Sequence, residues 1–140
     1  MLNTESETGL NVVMSPEAML QQDLSDALAR GELRLVYQPL VRLSSGKTIG
    51  YEALLRWDHP KFGLILPTRF VEAAEASGLI VPVGAWVMRD ACQEAALWDN
   101  KLLVSVNVSA VQISAPGFVE MVCAALADSG LSPARLEIEI

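Results

Sequence analysis

The chain has 140 residues, 51% of them hydrophobic and 19% charged, a balance that fits a globular domain and excludes a disordered or low-complexity chain. Its formal net charge is −7 and its sequence pI is near 4.6. No run of lysines or arginines forms a stripe, which excludes recognition of a polynucleotide backbone.

In chain order, residues 1–14 are polar, acidic and unpatterned, and predict a disordered lead-in or linker ahead of a folded portion over 15–140. No basic region precedes an apolar run there, and no segment reaches the roughly 18 consecutive apolar residues of a membrane helix. A cytoplasmic chain without membrane contact is expected. Ser15 can cap a helix whose first residue is Pro16, with Leu20, Leu24, Ala27 and Leu28 on one face and Gly31 at its end. A strand over 33–40, a turn at Ser44-Ser45-Gly46-Lys47 and a strand carrying Glu52 follow, and read as an antiparallel pair.

Residues 67–77 predict a helix with Pro67 first and Gly78 closing it, although Leu66 stands where a capping side chain is wanted. A longer helix is expected over 81–99, with Val83, Trp86, Val87, Ala91, Ala95 and Trp98 on its inner face. Beyond a strand at 104–108, a helix over 118–128 turns Val122, Ala125 and Leu126 inward, and a strand over 136–140 ends the pattern. Cys92 and Cys123 lie inside helical patterns and read as reduced core thiols. His59, the only histidine, precedes Pro60 with no nucleophile arranged beside it, and reads as structural.

Three of the strands place an oxygen-bearing side chain in an otherwise apolar run. Side chains alternate along a strand, so Gly50, Glu52, Leu54 and Arg56 share one face and Tyr51, Ala53, Leu55 and Trp57 the other. The same count sets Ser105 and Asn107 against Val104, Val106 and Val108, and Glu137 and Glu139 against Leu136, Ile138 and Ile140. A carboxylate or amide in such a setting is costly unless something satisfies it, and one bound cation would satisfy Glu52, Asn107 and Glu139 together. Carboxylate and amide oxygens are hard ligands, suited to Mg²⁺ or Mn²⁺. Polar groups near the carboxyl ends of alternating strand and helix units are where barrel enzymes keep their chemistry.

The run Tyr51-Glu52-Ala53-Leu54-Leu55-Arg56-Trp57 resembles the signature of EAL-domain proteins, bacterial phosphodiesterases that open cyclic di-GMP. Tyr37-Gln38-Pro39, His59-Pro60, Ser77-Gly78-Leu79-Ile80, Val106-Asn107-Val108-Ser109, Gln112 and Leu136-Glu137-Ile138-Glu139-Ile140 fall in the order of that family. The likeness runs from the helix before Gln38 to the last residue.

The resemblance implies an α/β fold, part of a TIM-type (β/α)₈ barrel with its first strand antiparallel to the rest. It implies Glu52, Asn107 and Glu139 as metal ligands, Arg56 on a substrate phosphate, and Gln38 on the nucleotide. Bound cations and one arginine can reverse the local field of an acidic protein, so an anionic dinucleotide is compatible with the net charge. A complete barrel needs about 250 residues, and the family continues with an Asp-Asp pair, a lysine and a further glutamate. The expectation is therefore about four of eight strands, in a truncated phosphodiesterase domain inactive alone. Its exposed apolar surface would suit a homo-oligomer. The competing class is a non-catalytic module that binds cyclic di-GMP or a protein without turnover.

Overall fold

A computed structural model describes residues 14–99 and 101–140. The predicted lead-in falls outside them except for Met14. Helix α1 (Pro16–Arg30) starts where Ser15 Oγ accepts from the Ala18 amide at 3.1 Å and ends at Gly31, whose φ of 69° suits the left-handed turn that closes a helix. The pair β1 (Leu33–Val41) and β2 (Thr48–His59) is antiparallel, with Gln38 opposite Glu52 and Leu33 opposite Trp57. β3 (Gly63–Ile65) folds back on the end of β2.

Helices α2 (Pro67–Ser77) and α3 (Ile80–Ala95) lead to β4 (Leu103–Asn107), which lies parallel to β2. Helices α4 (Ala110–Ser114) and α5 (Phe118–Ser129) and a 3₁₀ turn at Pro133–Arg135 lead to β5 (Leu136–Glu139), parallel to β4. The sheet order is β1-β2-β4-β5, with β3 attached to β2. The first strand thus runs against its neighbour β2, as the sequence implied.

One face of the sheet is covered by helices. Ala53, Trp57, Val104, Val106 and Val108 point into that layer, each at most 5% exposed, and meet Phe70, Val83, Met88 and Ala91 in one core. At roughly 25 cal/mol per Å² of apolar area this burial dominates the stability of the domain. Burial also pushes the Cys92 thiol up to about 11, which leaves it an inert core group. No helix among the described residues is long and apolar enough to cross a membrane.

Four features differ from the sequence reading. A fifth strand, β3, is present, because His59 shapes the turn before it: the ring Nδ1 accepts from the amides of Lys61 and Phe62 at 3.0 and 3.1 Å, while Nε2 meets Asp23 Oδ2 of α1 at 2.7 Å. That arrangement confirms a structural histidine. A short helix, α4, precedes α5 and is held by a capping box between Ser109 and Gln112. The helix expected over 81–99 stops at Ala95. Past that point the carbonyls of Ala95, Asp99 and Leu102 turn toward Arg135, which donates to them at 2.8, 3.0 and 2.8 Å.

The last difference concerns Cys123, which is exposed and not a core thiol. The inward stripe of α5 passes through Val122, Ala125 and Leu126. Residue 123 lies about 100° further round a helix of 3.6 residues per turn.

Candidate functional site

The sheet face opposite the helices gathers the polar residues of four strands. Gln38 of β1 lies beside Glu52 of β2, Glu52 beside Ser105 of β4, and Asn107 beside Glu139 of β5. The parallel pairing of β2, β4 and β5 brings residues far apart in the chain to one level at the carboxyl ends of β4 and β5. Gly50 permits this closeness. A Cβ there would collide with the Leu103 carbonyl, so the β2 to β4 contact requires glycine.

Two hydrogen bonds tie the oxygen donors together. Asn107 Nδ2 donates to Glu52 Oε1 at 2.8 Å. A carboxylate only accepts, so the amide must turn its nitrogen to Glu52, which frees its carbonyl oxygen for another partner. Ser105 Oγ donates to Glu139 Oε1, also at 2.8 Å. Ser105 is fully buried at 0% exposure, whereas Asn107 is exposed and Glu52 and Glu139 are half-buried. The carboxylates therefore keep one open side.

The structure brings Glu52, Asn107, Glu139 and Gln38 into this group and sets Arg56 apart. Arg56 shares the face of Glu52 but stands four residues along β2, about 13 Å at the rise of an extended strand. Its Nη1 donates to the Leu55 carbonyl at 2.8 Å. Among the described residues it forms no ion pair with Glu52. Tyr37, next to Gln38, points to the helical side and meets the edge of Trp98 with ring centroids 5.1 Å apart. Burial, with Asp90, Glu94 and Cys92 nearby, holds its phenol well above the ordinary range, so it stays neutral.

Ser105 was not singled out from the sequence beyond its place on the Asn107 face. Its parity with Asn107 was the only signal, and its link to Glu139 depends on a register that sequence alone does not state.

The EAL domain family matches residues 21–140. The chain belongs to the EAL domain family. Among curated relatives, the bifunctional diguanylate cyclase/cyclic di-GMP phosphodiesterase MucR of Pseudomonas aeruginosa is 41% identical over 138 residues, covering 96% of this chain and 20% of MucR. Among solved structures, the PaMucR phosphodiesterase in its c-di-GMP complex superposes with a TM-score of 0.84 at 44% identity, covering 87% of this chain and 51% of that one. The FimX EAL domain from Pseudomonas aeruginosa bound to c-di-GMP gives 0.74 at 26% identity, covering 89% and 49%.

This EAL chain spans 15% to 41% of the length of the first curated relatives it matches. Its five strands and helical layer correspond to about half of each of those two solved domains.

Proposed function

We propose that this EAL domain serves a phosphodiesterase that hydrolyses cyclic di-GMP to linear pGpG, with Glu52, Asn107 and Glu139 holding Mg²⁺ or Mn²⁺. The observation that carries the reading is the Asn107 to Glu52 hydrogen bond, which uses the amide nitrogen and leaves its oxygen free on the sheet face that carries the half-buried Glu52 and Glu139. The donors are all hard oxygens, and two are anionic, so the set fits a small divalent cation and disfavours a thiolate-type zinc site. Glu52, Asn107 and Glu139 would hold such an ion, which would supply water activation and charge stabilisation for attack on a phosphodiester.

The protein's own groups do the rest of the positioning. Gln38 stands beside Glu52, within reach of a nucleotide lying over the carboxyl ends of the strands. Arg56 is anchored through one N–H to the Leu55 carbonyl, and the remaining prongs of its guanidinium suit the oxygens of a phosphate. Among the described residues the one further carboxylate at this level, Glu137, lies beside Ser105 in the register and is exposed to solvent. The ring of His59 is fully engaged by Asp23 and two backbone amides. These 140 residues alone should therefore bind metal and nucleotide without turning the nucleotide over.

The test is chromatographic. Cyclic di-GMP incubated with Mg²⁺ and the 140-residue protein should yield no pGpG, whereas a chain carrying these residues within a closed barrel should yield it. In that longer chain Glu52→Gln should cut the rate by several powers of ten, as loss of metal-assisted catalysis implies. Magnesium-dependent pGpG from the 140 residues alone would overturn the expected inactivity, and a near-normal rate for Glu52→Gln in the longer chain would overturn the metal assignment.

A further inference from the structure

We infer that Ser105 is a positioning residue that draws Glu139 into line with Glu52, a role that rests on the metal reading above. In the sheet register the direct neighbour of Ser105 on β5 is Glu137, and Glu139 lies opposite Asn107. The Ser105 Oγ to Glu139 Oε1 bond of 2.8 Å is therefore diagonal: it pulls the Glu139 carboxylate back along β5. On the other side the direct neighbour of Ser105 is Glu52. The hydroxyl thus sits on the strand between the two that carry the carboxylates, two residues before Asn107 on the same face.

Electrostatics gives the bond its purpose. Two carboxylates gathered around one point repel, and a flexible glutamate on a strand end relieves that repulsion by swinging outward. Ser105 opposes the swing with a charge-assisted hydrogen bond from a side chain that cannot itself move, being 0% exposed between β2 and β5. Only one oxygen of Glu139 is used. The other is left for a cation, so the bond orients the ligand without consuming it.

Ser105 has no such claim as a nucleophile. Its single hydroxyl proton is committed to a carboxylate, and the described residues place no histidine or lysine on it. Its contribution is to the geometry of Glu139 before any ion arrives.

Mn²⁺ titration of the full 140-residue chain, followed by the electron paramagnetic resonance of free Mn²⁺, tests the inference alongside thermal melting. Ser105→Ala should weaken Mn²⁺ binding about tenfold while lowering the metal-free melting temperature by only a few degrees, and Ser105→Thr, which keeps the hydroxyl, should bind within about threefold of the parent. Glu139→Gln is the control for the site itself. If Glu139→Gln weakens binding and Ser105→Ala does not, the metal reading stands and the positioning role fails. Equal losses in Ser105→Ala and Ser105→Thr, or a Ser105→Ala chain that does not fold, would make the serine a packing residue and overturn the role. A parent chain that binds no Mn²⁺ overturns both.

Discussion

Arg56 and Glu52 share a strand face yet answer to different partners. Glu52 is bonded to Asn107, while Arg56 reaches back to the carbonyl of the preceding residue, Leu55, and among the described residues leaves most of its fork uncommitted. An arginine arranged this way is suited to a planar two-pronged contact that lysine cannot reproduce at equal charge. In a chain that completes the barrel, Arg56→Lys should therefore weaken cyclic di-GMP binding by roughly 1–3 kcal/mol, the range for hydrogen bonds to charged groups. Mn²⁺ affinity should stay where it was. Calorimetric titration of each ligand against both proteins checks this, and a large loss of Mn²⁺ affinity would tie Arg56 to the metal ligands instead.

Among the elements, α3 and α4 depend on a single missing side chain. Gly84 of α3 lies under Gln112, and a Cβ at that position would overlap the Gln112 amide. That amide cannot simply move, because its oxygen accepts from the Ser109 N–H at 3.0 Å in the capping box that starts α4, and the residue is 6% exposed. Alanine is the better helix former by about 1 kcal/mol, so propensity alone favours Gly84→Ala. Overpacking should outweigh it and leave the variant less stable by about 1–3 kcal/mol. Urea unfolding decides the sign, and a more stable variant would show that Gln112 has room to shift.

The elements also show what could be read in the chain and what could not. The capping of α1 by Ser15, its closure at Gly31, the antiparallel β1 and β2, and the shared face of Glu52 and Arg56 all follow from local signals, and the structure has them. Four-residue spacing on a strand, alternation and caps act over a few residues. The end of α3 does not follow, because Arg135, 40 residues on, binds the carbonyl of its last residue, Ala95, along with those of Asp99 and Leu102 beyond it. β3 and α4 are three and five residues long, too short for any periodicity to declare them. In the candidate site the residue types were legible, whereas the Ser105 to Glu139 diagonal required the β4 to β5 register.

Over the whole molecule, the two sheet faces differ in what would stabilise them. The helical side is a closed apolar core, while the opposite side concentrates Glu52 and Glu139 in a protein of formal net charge −7. A cation that binds the folded chain and not the unfolded one stabilises it by mass action, about 2.7 kcal/mol at a hundred times its dissociation constant. Mn²⁺ at that excess should raise the melting temperature by several degrees in the parent chain. Glu52→Gln should lose most of the rise. An equal rise in both proteins would assign the effect to general screening of the acidic surface.

The links that define the site also set when it can form. Asn107 and Glu52 are 55 residues apart and Ser105 and Glu139 are 34 apart, whereas β1 and β2 are joined by a short turn. Closing long loops costs chain entropy before any contact repays it, so the hairpin can form early and the parallel pairings of β4 and β5 come later. The carboxylate cluster is in this sense a late product of folding: it exists only once β2, β4 and β5 are in register. A slip of β5 by one residue would turn Glu139 to the helical side and Ile138 to the open one, leaving a chain with most of its core formed and no site at all.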